Sequence, residues 1–195
     1  MFKLAEGWKS KRIMTLDIAT YSTGLAAYVP GAGLFCHDVQ SFADYPYERY
    51  KDQHIQVKMY YQKYKPEYVI FEAGFGSERD TEGTIRYRKV TDRGEDVVTM
   101  LAEVRGAIIA AFPKDVCHLI KVANTEWKSW LGIHNAADLS RDRVKHKVYE
   151  IVCQKWDIDF PITHWKGKAK YDMTDAVGMM TGVLEGKLGP LIDGS

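Results

Sequence analysis

Asp172-Met-Thr-Asp175 opens a stretch in which Ala176, Met179, Met180, Val183 and Leu184 recur at helical spacing. Asp172 and Asp175 lie three residues apart and Met179 follows four later, so both carboxylates continue the stripe that a helix turns to the interior. Taken alone, the pair has an ordinary reading, with Asp172 as an N-cap and Asp175 as a first-turn acid favoured by the helix dipole. Two further acids weigh against it. Asp17 is set into an otherwise apolar run, Ile13–Ile18, and Glu72 closes another, Tyr68-Val-Ile-Phe71. A carboxylate in a central strand is costly to bury unpaired, and open α/β sheets gather ligand sites at the carboxyl ends of their strands. Four carboxylates aimed at one spot, with no Lys or Arg inside their own motifs, imply hard divalent cations, Mg²⁺ foremost. Paired ions of this kind activate a water and stabilise the leaving oxygen in phosphodiester cleavage.

The elements that must position these acids follow from hydrophobic period. Residues 13–18, 24–29 and 34–39 read as a three-stranded meander, with turn chemistry at 20–23 and at Pro30-Gly-Ala-Gly33. Residues 47–64 keep helical period through Tyr50, His54, Val57, Tyr60 and Tyr61, and Pro66 marks the exit. Residues 68–71 form a strand that delivers Glu72; residues 73–94, Gly-rich and charged, read as a mobile loop. A strongly periodic helix spans 95–112, a fifth strand 116–122, and helices 125–131 and 141–156. Residues 160–171 are irregular and basic, and the closing helix begins at Asp172. This order predicts an α/β fold, a mixed five-stranded sheet with helices on both faces. Residues 1–12 read as a loosely ordered lead-in to one domain spanning 1–195.

The chain has 195 residues, enough for one well-filled core, and 46% apolar and 27% charged residues, which are ordinary values for a globular protein. There is no apolar run of bilayer-spanning length and no charged-then-apolar leader, so no membrane association is expected. Three cysteines without CxxC spacing argue against a disulfide framework or a zinc site and fit a reducing cytoplasm. The net charge of +1 does not advertise nucleic acid, but basic residues gather at 86–89, 141–147 and 166–170, a pattern compatible with a phosphate-binding face and equally with solvated surface.

In order along the chain, these residues resemble the RuvC-like Holliday junction resolvases of the RNase H-like nuclease superfamily, most of all the smaller phage forms. Asp17-Ile-Ala-Thr-Tyr-Ser-Thr23-Gly24 is similar to the family's D-x-G-x-x-x-T-G segment, with Ala19 in place of the usual glycine. Val69-Ile-Phe-Glu72-Ala-Gly-Phe75 resembles the strand ending in the second acid. Glu103-Val-Arg-Gly106-Ala-Ile-Ile resembles the A-R-G-x-x segment of the long helix. Asn124-Thr-Glu-Trp-Lys128 to Gly132 resembles V-K-x-x-x-x-G, and Arg141-Asp-Arg-Val144 resembles K-x-x-V with Arg141 where lysine is usual. Asp172-Met-Thr-Asp175-Ala176 is similar to the closing D-x-x-D-A. The resemblance runs from Ile13 to about Leu184.

The resemblance implies an RNase H-like fold and a metal-dependent, structure-selective DNA endonuclease acting as a homodimer on four-way junctions in the bacterial cytoplasm. It implies Asp17, Glu72, Asp172 and Asp175 as catalytic metal ligands for two Mg²⁺, with Mn²⁺ able to substitute. The resemblance makes Phe75 a DNA-stacking aromatic, where spacing alone reads a core plug at a strand end and the flanking Gly74 and Gly76 read exposure, and it makes Lys128 and Arg141 phosphate contacts. Arg86, Arg88 and Lys89 are further DNA-contact candidates beside ordinary loop charge. Lys166, Lys168 and Lys170 read either as a solvated strand or as a phosphate clamp at the mouth of the site. Trp127 and Trp130 read as packing residues. The helix over 95–112 carries more apolar surface than one core contact needs, as a dimer interface would. Rival readings are a nuclease for flaps, Y-forks, other branched DNA or RNA in a hybrid, and a junction-binding protein without catalysis. A fragment of the actin and sugar-kinase fold is also a rival, but it would need a second lobe for which the chain has no room.

Overall fold

The computed structural model describes residues 5–73, 77–79, 85–87, 95–113, 115–134, 139–165 and 168–189; of 77–79, 85–87, 95–97, 163–165 and 168–170 only the backbone course is described. In chain order, α1 (Glu6–Lys9) leads into a meander of β1 (Ile13–Ile18), β2 (Ser22–Val29) and β3 (Gly33–Gln40). Helix α2 (Pro46–Tyr64) starts on a proline in its first turn and stops where Lys65 takes the left-handed conformation, φ 45°. Strand β4 (Tyr68–Glu72), a short ribbon of β5 (Ser77–Arg79) and β6 (Ile85–Tyr87), helix α3 (Glu95–Ile109) and strand β7 (His118–Val122) follow. Helices α4 (Asn124–Trp130) and α5 (Arg141–Trp156), a second ribbon of β8 (Thr163–Trp165) and β9 (Lys168–Lys170), and α6 (Asp172–Leu184) complete the chain.

The main sheet has the order β3-β2-β1-β4-β7, antiparallel through the meander and parallel from β1 across β4 to β7. This is the expected mixed five-stranded sheet. Strand alternation divides its side chains between two cores. Ile13, Ala26, Tyr28, Tyr68 and Ile70 face α4, α5 and α6, where Trp127, Val148, Val152, Met179 and Val183 bury against them. Met14, Leu16, Ile18, Val69 and Phe71 face the other way, onto Tyr50, Val57 and Tyr64 of α2 and Val104 and Ile108 of α3. Helices therefore cover both faces. Every residue of α6 is buried, because it lies on the sheet and under α4 and α5. Its apolar surface all round is what such a position demands.

Three expectations need correction. The lead-in is not loose from residue 5 onward: Trp8 is buried, its Nε1 donates to the Gly189 carbonyl at 2.9 Å, and Ala5 N donates to Leu184 O. The stretches 73–94 and 160–171 each carry an antiparallel ribbon whose strands are three residues long. The last strand begins at His118 rather than 116, since Val116 N bonds back to Pro113 O in a turn. Among the described residues no helix is long and apolar enough to cross a membrane.

Candidate active site

Register places the two strand acids. Leu16 of β1 pairs with Phe71 of parallel β4, so Asp17 and Glu72, one residue further on, stand side by side at the carboxyl ends of their strands. Alternation from Thr15 and Ile70 turns both toward α6. The helix is held on them by three contacts. Thr15 Oγ1 donates to the Ala176 carbonyl at 2.7 Å. Ser22 Oγ donates to Asp172 Oδ2. Gly24, the cross-strand partner of Asp17, lets the backbones touch: a Cβ there would sit 1.8 Å from Asp172 O. Asp172 is not the N-cap of α6; Tyr171 holds that position, and the Asp172 carboxylate is spent on Ser22 and a lysine instead.

The four predicted acids lie within electrostatic reach of one another. Burial raises the Asp17 carboxyl well above its ordinary range, and Asp175, Glu72 and Asp172 push it further in that order. Burial likewise raises Asp175 to about 6, although Lys145 and Lys128 pull it down. Mutual repulsion of this reach requires the four groups to be neighbours.

The acids have no Lys or Arg inside their own motifs, but α5 brings them a basic partner from outside. Lys145 Nζ lies 3.2 Å from Asp172 Oδ1 and 3.3 Å from Asp175 Oδ2, and these acids hold its ammonium in the charged form against the cost of burial. Nothing in the residue types of the basic run 141–147 singles it out; its nearest signal is adjacency to Val144 on the buried stripe of α5. Trp127 is a core residue as expected, yet its Nε1 also donates to Glu72 Oε2 at 2.8 Å. Lys128 bonds Asn124 Oδ1 at 2.7 Å and lies 5.0 Å from the Trp127 ring centroid, close enough to influence Asp175. Arg141 is exposed in the first turn of α5, one turn before Lys145. Arg86 is on β6 opposite Glu78, and Lys168 and Lys170 are on β9, which ends two residues before Asp172. Phe75, Arg88, Lys89 and Lys166 lie outside the described residues.

The donor set suits a hard divalent cation. Four carboxyl groups face one contacting ammonium, and Asp175 Oδ1 is buried with no hydrogen-bond partner among the described residues. As they stand, no three or more His, Cys, Asp or Glu side chains among the described residues are grouped to hold a metal ion. Lys145 sits between the two helix acids instead.

No family model matches the sequence, and no curated protein matches it by sequence. Solved structures do match in shape. Thermus thermophilus RuvC in complex with a Holliday junction substrate superposes with a TM-score of 0.60 at 14% identity, over 92% of this chain and 96% of that one. Thermus thermophilus RuvC solved separately gives 0.56 at 16% identity, over 88% and 92%. With the sheet order and the helices on both faces, these likenesses establish that the chain has the RNase H-like fold of RuvC.

Proposed function

We propose that the protein is a metal-dependent, structure-selective DNA endonuclease that resolves four-way junctions by paired symmetric nicks. One observation carries the reading: four acids from β1, β4 and α6 converge where parallel strands end, in a fold shared with a protein solved on a Holliday junction. Buried like charges are costly unless cations offset them, and Lys145 is one contacting ammonium for four carboxyl groups.

In this reading Asp17, Glu72, Asp172 and Asp175 hold two Mg²⁺, or Mn²⁺ in their place. When bound, the ions supply an activated water and charge stabilisation at the leaving oxygen. The chain's own part is placement. Ser22 and Lys145 fix the Asp172 carboxylate from two sides, and Lys145 balances Asp175 until the ions enter. Lys128 and Arg141 bring positive charge to the site and to the surface beside it, where a phosphate backbone can be gripped. Arg86, Arg88, Lys89, Lys166, Lys168 and Lys170 would add phosphate contacts, and Phe75 would stack on a base at the branch. The active species is a homodimer, one site per scissile strand.

Cleavage of matched four-way, flap and linear duplex substrates tests the proposal. Mg²⁺ should give paired nicks on the four-way junction only, and Ca²⁺ should allow binding without cutting. Preferential cutting of flaps would move the protein to another branch specificity. Binding without cutting in any divalent ion would make it a junction-binding protein.

A further inference from the structure

We infer that Trp127 is a positioning residue of this site: its indole N–H fixes the Glu72 carboxylate and its ring sets the gap between β4 and α6. The inference rests on the four acids being metal ligands.

The contacts lie on opposite edges of one rigid bicycle. At one edge Nε1 donates to Glu72 Oε2 at 2.8 Å. At the other, Cζ3 lies 3.1 Å from where Gly178 would carry a Cβ, so the six-membered ring rests directly on α6. Gly178 is three residues beyond Asp175, nearly one turn along the same helix. The indole thus bridges the strand that carries Glu72 and the helix that carries Asp172 and Asp175. Trp127 is wholly buried, 0% exposed, and cannot swing away without opening the core.

Two needs meet in this bond. A buried indole N–H requires an acceptor, and a buried carboxylate requires donors. The bond between them is charge-assisted and directional, and it stops the Glu72 carboxylate from rotating. Lys128 holds its ammonium over the same ring, which ties the cation felt by Asp175 to the group that orients Glu72. Hydrogen bonds of this kind to ligating carboxylates tune ion affinity. A tryptophan serving only as core filler needs the shape of the ring and not its N–H.

The test separates shape from donor. Trp127 is replaced by β-(3-benzothienyl)alanine, which keeps the bicycle and puts sulfur in place of N–H, and separately by Trp127→Phe. Mn²⁺ binding to the DNA-free protein is measured by calorimetry for both, for wild type and for Glu72→Gln. The benzothienyl protein should bind Mn²⁺ about 10- to 100-fold more weakly than wild type. Its junction affinity in EDTA should be unchanged, and saturating Mn²⁺ should restore cleavage. Trp127→Phe should weaken Mn²⁺ binding in the same direction, having lost both the donor and part of the bridge. If the benzothienyl protein binds Mn²⁺ as wild type does while Glu72→Gln binds it poorly, Trp127 is core filler and the inference is wrong. If wild type binds no Mn²⁺, or Glu72→Gln binds it normally, the metal-site reading fails and the inference falls with it.

Discussion

Asp175 Oδ2 lies 3.3 Å from Lys145 Nζ, and Glu72 ends β4, the neighbouring strand to that of Asp17. Replacing Asp175 by Asn or Glu72 by Gln should lower cleavage by about 10³-fold or more while junction binding persists. Near wild-type cleavage in either variant would remove that residue from the site. The acids were legible because each broke a local rule: Asp17 and Glu72 are charges at strand positions, and Asp172 and Asp175 continue an apolar stripe. Lys145 breaks none, since it is one basic residue in the run 141–147, and only the packing of α5 on α6 selects it. Burial of Asp175 also fixes a sign for pH. The folded Asp175 titrates at about 6 against an ordinary 3.8, so between those values the folded chain holds a proton that the unfolded chain has released. Stability of the metal-free protein is therefore lost as pH rises through that window. His37, lowered by burial and by Lys63, contributes in the opposite sense, so the comparison must be with Asp175→Asn. In chelator that variant should be the more stable at pH 7, and its advantage should vanish near pH 4. An advantage that grows on acidification would refute the burial argument.

Glycines decide how closely the elements approach. Gly24 sits under the first turn of α6, and a methyl group there would meet backbone, which cannot yield. Gly24→Ala should cost about 3 kcal/mol or more and displace Asp172 from Ser22. Gly182→Ala meets the Trp130 ring at 2.5 Å, a side chain able to shift, and should cost less. Denaturant melts of the two variants check the order, and equal losses would mean that α6 is not seated on β2. The meander, β4 and α6 were legible because strands of five to eight residues and a helix of thirteen show their period. The two ribbons were not, since three residues cannot display alternation. Nor was the docking of residues 5–12, because Trp8 finds its partner at Gly189, the far end of the described chain.

Across the whole molecule, function depends on what lies outside the core. Arg141 is exposed near the site, and its Ala variant should weaken junction binding and reduce the salt slope by about one. An unchanged slope would return it to ordinary surface charge. The dimer proposal meets a sharper demand. One cluster of four acids serves one phosphate, whereas a four-way junction needs nicks on two strands related by a two-fold axis, which a two-fold dimer matches. Much of the apolar stripe of α3 is consumed within the chain, because Val104 and Ile108 bury against the sheet. What remains for a partner is the outer surface: Val98 is 40% exposed on α3, and Ile55 and Met59 are exposed on α2, which packs beside it. Wild-type chains mixed with an excess of Asp175→Asn chains on a junction held in a supercoiled plasmid test the assembly. Mixed dimers should leave singly nicked circles in place of linear product. Linear product falling only in proportion to active chain, or one chain per junction by light scattering, would rule the dimer out.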